Sequence, residues 1–476
     1  MSNVNKLNFK KLHFIGIGGV GMSGLARIAA AQGIRVSGSD IKGSRFTSQL
    51  EQNWVPVSIG HDPKNIPEGD DVVVVVSTAI MDSNPEYIAA KERGLKIIHR
   101  AQLLSYLGRD LKTLAVAGTH GKTTTSSMLA STLDAMGEDP TFVIGGMVLS
   151  YNTNARPGSG EYYVVEADES DKSITSIEPY AVIVTSIESD HLDHYKSLNE
   201  IYDKFGQFIS MVKDNRPVIV FGDDERLVSL ARDNAKNVIT YGFSEDCNVR
   251  IIKSERIGVG SSFTVKMANG SEVSSAITKN PGMHNELNAT AVLALIEALG
   301  LNVVLAAKKL RDFAGVHRRF ELVGSASGVT VVDDYAHHPT EIKATIKAAR
   351  DLDFNRIHVV FQPHRYSRVN LFCNILAKEF GESFDEADSV IFTDVYAAGE
   401  RPIPGVNGKT FMQTILDHSG HPSIKYVERL VDVPATFAEY VEAGDLIITM
   451  GAGDVTEIGS HILTEIGKRT LANTAG

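Results

Sequence analysis

The sequence predicts an α/β protein of three domains, and three observations support that prediction. The chain has 476 residues, which at about 150 residues per domain suggests three folding units. Short apolar runs alternate with helix-capable segments along its length, a pattern typical of parallel, doubly wound sheets. Two glycine-rich turns each lie between such a run and a helix. We place the predicted domains at residues 1–110, 111–319 and 320–476.

The composition indicates an enzyme of the cell interior. Hydrophobic residues make up 43% and charged residues 22% of the chain, as in ordinary globular domains. The net charge of −11 argues against a nucleic-acid partner. No apolar run approaches the roughly 18 residues of a membrane span, and the N-terminus carries no signal-peptide pattern. Because Cys247 and Cys373 are far apart and outside any metal-like spacing, we expect free thiols in a reducing compartment, the cytoplasm. We expect a monomer or homodimer without membrane attachment.

The first domain is predicted from alternating strands and helices. KLHFIGIGG is a strand that runs into glycines, GLARIAAAQG is a helix that ends at Gly33, and RVSGSD is a second strand. The runs VVVVVSTAI (72–80) and LKIIHR (95–100) continue the alternation. A boundary at GRDLK (108–112) precedes the next strand.

The turn after the first strand, GIGGVG (16–21), matches a fingerprint for diphosphate binding. Its glycines let a diphosphate approach a helix N-terminus, and Asp40, about 20 residues later, can accept a hydrogen bond from a sugar hydroxyl. Taken alone, the turn favours NAD about as much as any other ligand that carries a diphosphate.

The second glycine-rich turn lies in TLAVAGTHGKTTTSS (113–127). In a strand–turn–helix of this kind, backbone N–H groups and the helix dipole face an anion, a lysine reaches the outer phosphates and a hydroxyl meets Mg²⁺. Val116 stands where the strict pattern has a glycine, so the loop is a variant. A tight turn explains Gly118 and Gly121 but not Lys122 followed by three threonines. We therefore favour ATP binding, and two phosphate loops in one chain suggest synthesis rather than redox chemistry.

Further strands complete the second and third domains. The second domain continues with YYVVEAD (162–168), YAVIVTSI (180–187) and PVIVFG (217–222). The turn-rich stretch 246–273 predicts a small antiparallel patch, and NELNATAVLALIEALG is helical. The third unit begins near Phe320, with predicted strands at VTVVDD, RIHVVFQ, SVIFTDV and DLIITMG.

Two acid-rich clusters follow strands that we expect to flank the phosphate-loop strand. They contain Glu166, Asp168, Glu169 and Asp171, and then Glu188, Asp190, His191, Asp193 and His194. The carboxyl ends of parallel strands face the ligand crevice. Glu166 with the Thr123 hydroxyl suits Mg²⁺, and a neutral imidazole at His191 can bind a second metal or orient a phosphate. Asp171 and Asp193 are interpreted as solvated loop charges.

Six segments together resemble the Mur ligases of peptidoglycan synthesis over nearly the whole chain: GTHGKT, EADES, SDHLD, HNELNATA, HRRF and DDYAHHPTE. The resemblance implies an N-terminal Rossmann-like domain that binds a UDP-linked substrate, a central P-loop-type ATPase domain and a C-terminal Rossmann-like domain that binds an amino acid. The first glycine loop then holds UDP rather than NAD. GIGGVGMSG, FQPHRYSR and DVYAAGE are similar to the branch of the family that joins L-alanine to UDP-N-acetylmuramate.

The resemblance also implies the chemistry. ATP and two Mg²⁺ ions convert a carboxylate to an acyl phosphate, and the amine of L-alanine then displaces phosphate. The implied catalytic residues are Lys122, His191 and Arg319. The implied metal ligands are Thr123, Glu166 and His191.

Three groups of binding residues follow from the same resemblance. ATP is assigned to Gly118, Thr119, His120, Gly121, Lys122, Thr123, Thr124, His284, Asn285, Asn288, Arg319 and Asp334. The UDP-substrate is assigned to Gly16, Gly18, Gly19, Gly21, Met22, Ser23, Ser39, Asp40, Thr78 and Arg100. The amino acid is assigned to Tyr335, His337, His364, Arg365 and Arg368, where an arginine pair suits a carboxylate.

Some questions stay open at this point. The base that deprotonates alanine is His191, His337 or water, and His338 is left as a residue that caps or packs beside Pro339. One alternative is the sister ligase that attaches a recycled tripeptide to the same UDP-sugar, against which FQPHRYSR argues. Folylpolyglutamate synthetase shares the ATP domain but typically lacks the N-terminal one. A third alternative is an NAD-binding redox regulator, but in such a protein the ATP loop and the acidic clusters would have no function.

Overall fold

The computed structural model describes residues 9–169, 173–189, 195, 197–421 and 423–475. Its strands form three sheets, one for each predicted domain, and the predicted three-domain α/β fold is confirmed. Within these residues no helix has the length and apolar character needed to cross a membrane. Cys247 and Cys373 are both free thiols, as expected.

The first domain is a parallel five-stranded sheet in the order β3-β2-β1-β4-β5. Its strands are β1 (Lys11–Ile15), β2 (Arg35–Asp40), β3 (Val57–Ile59), β4 (Val72–Val76) and β5 (Lys96–His99), and its helices are α1 (Val20–Ala31), α2 (Arg45–Gln52), α3 (Pro85–Glu92) and α4 (Arg100–Leu107). The strand order reverses between β1 and β4. The glycine turn after β1 therefore opens at the switch point where doubly wound sheets bind ligands.

The central domain is built on a ten-stranded sheet in the order β15-β14-β13-β12-β11-β10-β6-β9-β7-β8. The strands are β6 (Lys112–Ala117), β7 (Thr141–Val148), β8 (Thr153–Arg156), β9 (Tyr162–Glu166), β10 (Ala181–Val184), β11 (Val218–Phe221), β12 (Val238–Gly242), β13 (Val249–Ile257), β14 (Gly260–Lys266) and β15 (Glu272–Ile277). The helices are α5 (Lys122–Ala135), α6 (Leu198–Ile209), α7 (Glu225–Asn234), α8 (Met283–Ala298) and α9 (Val303–Leu310).

Helices cover both faces of this central sheet. Apolar side chains of α5, α8 and α9 form one core with it, and those of α6 and α7 form another. Such double coverage explains why the strands read as continuous apolar runs rather than as alternating patterns. Strands β9 and β10 pair with opposite edges of β6, as predicted. The antiparallel strands β13, β14 and β15 are not a separate patch, since β13 pairs with β12 and continues the same sheet.

The C-terminal domain is a six-stranded sheet in the order β16-β17-β21-β18-β19-β20. Its strands are β16 (Glu321–Ala326), β17 (Val329–Asp334), β18 (Ile357–Phe361), β19 (Ser389–Phe392), β20 (Ile424–Tyr426) and β21 (Leu446–Met450). Its helices are α10 (Pro339–Arg350), α11 (Tyr366–Ile375), α12 (Ala377–Ser383), α13 (Gly408–Leu416), α14 (Val433–Ala438) and α15 (Ile458–Ala475). The four strands predicted for this unit correspond to β17, β18, β19 and β21.

The hairpin β7–β8 joins the central sheet to the first domain. Arg27 of α1 donates to the main-chain oxygen of Ala155 at 2.9 Å, and Asn154 donates to the main-chain oxygen of Val20 at 3.3 Å. A Cβ at Gly24 would lie 2.6 Å from that of Ala155. The glycine therefore lets α1 pack directly against β8.

Candidate active site between the central and C-terminal domains

The phosphate loop connects β6 to α5 in a backbone conformation that needs its glycines. Gly118 has φ +133° and Gly121 has φ +78°, a region that favours glycine. A Cβ at Gly118 would lie 2.1 Å from Thr185 Oγ1, so no larger residue fits there. Helix α5 begins at Lys122, and its free N–H groups point out of the helix N-terminus towards the loop. The predicted strand–turn–helix is confirmed.

Lys122 is held across this loop by acidic residues. Its Nζ lies 2.9 Å from both carboxylate oxygens of Glu169 and donates to the main-chain oxygen of Gly118 at 2.5 Å. Burial would lower the pKa of Lys122, but the charges of Glu169, Asp168 and Glu166 outweigh it and raise that pKa. The side chain therefore stays a cation at the mouth of an anion-binding turn.

Thr123 and Glu166 lie together, as predicted from their motifs. The Thr123 hydroxyl donates to Glu166 Oε1 at 3.0 Å, and the N–H of Gly145 donates to the other oxygen at 2.7 Å. Bonds of 2.0–2.1 Å in an octahedral Mg²⁺ shell place neighbouring ligands about 2.9 Å apart, so this oxygen pair fits one edge of it. Burial raises the pKa of Glu166, and a nearby cation would offset that cost. The donors present therefore suit Mg²⁺.

The second acidic cluster falls mostly outside the described residues. His191, the predicted ligand for a second ion, lies outside them together with Asp190, Asp193 and His194, and so does Asp171 of the first cluster. Glu188 is described and lines the cavity beside the phosphate loop. Its N–H donates to the Thr119 hydroxyl at 2.8 Å.

A cavity of about 290 Å³ lies between the phosphate loop, α8 and α10. His284, Asn285 and Asn288 line it from the first turns of α8, as the sequence motifs predict. Phe221 and Tyr241 contribute an aromatic wall. Burial first, and then the charge of Arg319, lower the pKa of His284 to about 4, so its imidazole is neutral at pH 7. The cavity combines an apolar wall with a phosphate loop, as a nucleotide requires.

Two adjacent arginines at the domain junction have separate tasks. Arg318 donates from Nε to Asp333 at 2.9 Å and from Nη2 to the main-chain oxygen of Gly451 at 2.6 Å, which anchors the junction to the C-terminal sheet. Arg319 lines the cavity instead. The carboxylate of Asp334 accepts the N–H groups of Phe320 and Ala336 at 2.8 Å. Burial raises its pKa to about 6.

The five predicted amino-acid residues follow β17 and β18, and ring contacts connect three of them. The ring centroids of Tyr335 and His337 are 5.4 Å apart, and those of His337 and His364 are 6.5 Å apart. Burial, and then the positive charges of His337, Arg368 and Arg365, lower the pKa of His364 to about 3. Cationic side chains thus crowd a neutral histidine. An incoming carboxylate would relieve that positive potential.

His338 caps a helix and packs beside Pro339, as the sequence suggested. Its Nδ1 accepts the N–H of Thr340 at 3.4 Å, and so caps α10. The ring also lies 6.1 Å from that of Phe372. We assign it to packing and capping beside Pro339.

The glycine loop of the first domain is braced by the end of β2. The main-chain oxygen of Ser39 accepts the N–H groups of Gly16 and Ile17 at 2.8 and 2.9 Å. Asp40 Oδ2 accepts the N–H of Gly18 at 2.8 Å. Asp40 therefore holds the loop itself, an additional role beside the predicted contact with a sugar hydroxyl.

The other predicted UDP contacts surround this loop. Met22 and Ser23 are buried in the first turn of α1, and the N–H of Ser23 already donates to the main-chain oxygen of Gly19 at 2.9 Å. Arg100 Nη1 lies 3.3 Å from the position of a Cβ on Gly21, and Thr78 is exposed after β4. The Ser39 hydroxyl turns inward and donates to Glu86 Oε2 at 2.7 Å.

Glu86 is a fully buried carboxylate whose oxygens also accept from Asn65 Nδ2 at 2.7 Å and from the N–H of Asp62 at 3.1 Å. His13 Nε2 lies 3.0 Å away. Burial by itself would raise the pKa of Glu86, but hydrogen bonds from His13, Asn65 and Ser39 lower it. The carboxylate therefore adds stability that is fully present above the ordinary glutamate pKa and is lost as the pH falls through the lowered value.

Glu86→Gln is expected to lower the free energy of unfolding at pH 7 by about 1–3 kcal/mol. The reason is that the buried groups that donate to Glu86, among them Ser39 and Asn65, lose a charged acceptor. The difference from wild type should narrow below pH 4.5, where the wild-type carboxylate begins to lose its advantage. Melting temperatures between pH 7 and about pH 3 test this, with the exposed Glu92→Gln on the same helix as the control. A difference that stays constant over this range would contradict the account.

Sequence reasoning missed three residues of the candidate site. Glu169 was grouped with the acidic cluster but not paired with Lys122, although it lies only three positions after Glu166. Gly145 was not singled out, yet a Cβ there would lie 2.7 Å from Glu166 Oε1. Glycines inside a strand are a signal of close backbone approach. Glu341 ends the DDYAHHPTE segment but has no role assigned from sequence, because its partner His120 is 221 residues away.

Comparison with known proteins gives the class that this fold and site define. Three family models match: "Mur ligase family, catalytic domain" over residues 11–111, "Mur ligase middle domain" over 116–296 and "Mur ligase, glutamate ligase domain" over 318–453. The chain belongs to the Mur ligase family.

Individual relatives narrow the comparison within that family. The UDP-N-acetylmuramate–L-alanine ligase of Syntrophomonas wolfei is 40% identical over 97% of this chain and 98% of its own. That of Pelotomaculum thermopropionicum is 42% identical over 96% of this chain and 98% of its own. The crystal structure of the UDP-N-acetylmuramate–alanine ligase from Thermotoga maritima matches with a TM-score of 0.78 and 28% identity, covering 97% of this chain and 99% of that one. A murein peptide ligase from Psychrobacter arcticus matches with a TM-score of 0.69 and 26% identity, covering 96% and 98%.

Proposed function

We propose that this protein joins L-alanine to the carboxylate of UDP-N-acetylmuramate at the expense of ATP, giving UDP-N-acetylmuramoyl-L-alanine, ADP and phosphate in peptidoglycan precursor synthesis. The observation that carries the proposal is the meeting of two sets of groups. Thr123 of the phosphate loop lines a cavity whose opposite wall is formed by α10 of the C-terminal domain. In that same domain the histidines and arginines that follow β17 and β18 lie close together. The relatives at 40–42% identity carry the name of this activity. We place it in the cytoplasm, where ATP is made and used.

The first step activates the substrate carboxylate. A carboxylate oxygen attacks the γ-phosphorus of ATP, the bond from that phosphorus to the ADP oxygen breaks, and an acyl phosphate forms. Two anions have to approach each other, and negative charge develops on the transferred group. Lys122, kept protonated by the carboxylates around it, is placed to stabilise that charge, and Arg319 supplies a second cation from the domain junction.

The second step forms the amide. The amine of L-alanine attacks the acyl carbon, the tetrahedral intermediate expels phosphate, and the nitrogen loses a proton. His337 and His364 are the described histidines of the pocket, and the low pKa of His364, about 3, leaves it a weak base. The candidates for the proton acceptor are therefore His191, His337 in its neutral form, and water.

Magnesium fits one position in this arrangement. Thr123 and Glu166 would hold one Mg²⁺, which supplies charge neutralisation between the phosphates when it is bound. A second ion at His191 stays a prediction. We also retain the domain limits 1–110, 111–319 and 320–476, with the UDP-sugar on the first, ATP on the second and the amino acid on the third.

The murein peptide ligase is the nearest competing activity, because the Psychrobacter arcticus protein also matches almost the whole chain. A tripeptide needs a longer pocket than a single alanine. In this chain the rings of His364 and Tyr396 stack at 5.6 Å in this part of the C-terminal domain. The relatives at 40–42% identity are named as alanine ligases, which favours the smaller amino acid.

ADP release by the purified protein tests the proposal. Release is expected only when UDP-N-acetylmuramate and an amino acid are both present, and it should be fastest with L-alanine among the twenty tested singly. Robust turnover with L-Ala-γ-D-Glu-diaminopimelate and none with L-alanine would replace the proposal by the competing activity.

Ligand-dependent melting tests the first domain separately. UDP-N-acetylmuramate should raise the melting temperature, since a ligand bound only by the folded state stabilises it by mass action. NAD and NADP should leave the melting temperature unchanged. Stabilisation by micromolar NAD would restore the dinucleotide interpretation of Gly16, Gly18, Gly21 and Asp40.

A further inference from the structure

The carboxylate of Glu341 lies where the C-terminal domain meets the phosphate loop. It belongs to the first turn of α10, and its side chain is only 14% exposed. Oε1 lies 3.3 Å from His120 Nδ1 and 3.7 Å from Arg319 Nη1. Oε2 accepts the main-chain N–H of His337 at 3.1 Å and lies 3.4 Å from that ring's Nδ1. One carboxylate thus touches groups from the ATP loop, the domain junction and the amino-acid pocket.

His120 occupies the centre of the phosphate loop and is bound from two domains. On the side opposite Glu341, its Nε2 lies 3.5 Å from Glu188 Oε2. That oxygen accepts the hydroxyl of Thr340, the neighbour of Glu341 on α10, at 2.7 Å. The loop and the start of α10 are therefore linked twice, once directly and once through Glu188.

The charges make this junction sensitive to the loss of one member. Burial would raise the pKa of Glu341, but His337, His120 and Arg319 hold it well below the ordinary value. Burial would likewise lower the pKa of His120, but Glu188 and Glu341 raise it to about 10. Removing one partner of a buried charge cluster leaves the others uncompensated, which is far more costly than losing a surface pair.

We propose that Glu341 is a positioning residue that couples the ATP loop to the amino-acid site, by fixing His120 and Arg319 on one side and His337 on the other. This inference rests on the proposed function, because the proposed function assigns ATP and L-alanine to the two sites that Glu341 connects. Because Glu341 lies between groups that face ATP and groups that face L-alanine, its replacement should change the binding of both substrates. The UDP-sugar, bound on the first domain, should be unaffected.

Steady-state kinetics of Glu341→Gln test the proposal, because the amide keeps the shape of the side chain and removes its charge. The KM values for ATP and for L-alanine should both rise, each by roughly 5-fold or more, as for coupling between two sites. The KM for UDP-N-acetylmuramate should stay at the wild-type value. Glu379→Gln, an exposed change on α12 of the same domain, should leave all three values unchanged.

A second variant separates positioning from a general loss of structure. His120→Asn removes only the ATP side of the link, so it should raise the KM for ATP and leave that for L-alanine unchanged. In the double variant with Glu341→Gln, the rise in the KM for ATP should be smaller than the product of the rises in the two single variants. The proposal is overturned if Glu341→Gln changes neither KM, if all three KM values shift together, or if the two substitutions act independently. A wild-type protein that fails to use L-alanine would instead refute the proposed function.

Discussion

Replacing Lys122 by alanine is expected to abolish ligation, with a loss of at least about 10³-fold in kcat, because Lys122 brings positive charge to the transferred phosphoryl group. His120 on the same loop cannot replace it, because that imidazole is bound between Glu188 and Glu341. Binding of UDP-N-acetylmuramate should remain near normal, because the glycine loop braced by Ser39 and Asp40 lies in the first domain. ADP release and calorimetric titration with the UDP-sugar measure the two effects separately.

Lys122→Ala also leaves the buried carboxylate of Glu169 without its cation, so its folding has to be checked. Lys122→Ala with Glu169→Gln removes both members of the pair and should restore the melting temperature without restoring activity. Lys253→Ala, whose side chain is 64% exposed in the same domain, is the matched control. Loss of UDP-sugar binding in a variant that melts normally would contradict the domain assignment.

Arg368→Ala should weaken the use of L-alanine far more than the binding of ATP. Alanine offers one methyl group, worth about 0.8 kcal/mol on burial, so its recognition depends on its carboxylate and amine. Loss of an arginine–carboxylate pair costs about 2–4 kcal/mol, equivalent to about 30- to 900-fold in kcat/KM for alanine. Arg368→Lys should restore only part of the lost kcat/KM for alanine, since a lysine ammonium cannot replace the planar guanidinium that binds a carboxylate through two hydrogen bonds.

Kinetics with alanine and ATP varied separately check this expectation. Arg429→Ala, on a side chain 70% exposed in the same domain, should change neither parameter. An unchanged kcat/KM for alanine in Arg368→Ala would remove this residue from the pocket.

The parts of the structure that sequence predicted best are those set by local pattern. The strand ending at Ala117, the glycines of the phosphate loop and the start of α5 at Lys122 follow from short-range sequence. The placement of β9 and β10 beside β6 follows from general rules for parallel sheets, and it brings Glu166 to Thr123. The predicted placement of β9 and β10 on either side of β6 is confirmed, because local pattern and sheet topology favour the same arrangement.

The parts that could not be predicted depend on contacts between distant segments. The hairpin β7–β8 was not foreseen, because its internal glycines weaken the strand pattern and its packing partner is α1 of another domain. The inward turn of Ser39 towards Glu86, 47 residues away, leaves no local trace. Arg318 and Arg319 are the same residue type side by side, and only the family resemblance singled out Arg319. The structure shows what Arg318 does instead, since it binds Asp333 and Gly451 of the C-terminal sheet.

Transfer of oxygen from the substrate carboxylate to phosphate tests the central claim most directly. With ¹⁸O in the carboxylate of UDP-N-acetylmuramate, attack on the γ-phosphorus and later displacement by L-alanine should leave one labelled oxygen in the released inorganic phosphate. Mass spectrometry of that phosphate should therefore find the label in step with amide formation. Unlabelled phosphate, or label found in AMP, would contradict the acyl-phosphate route at this site.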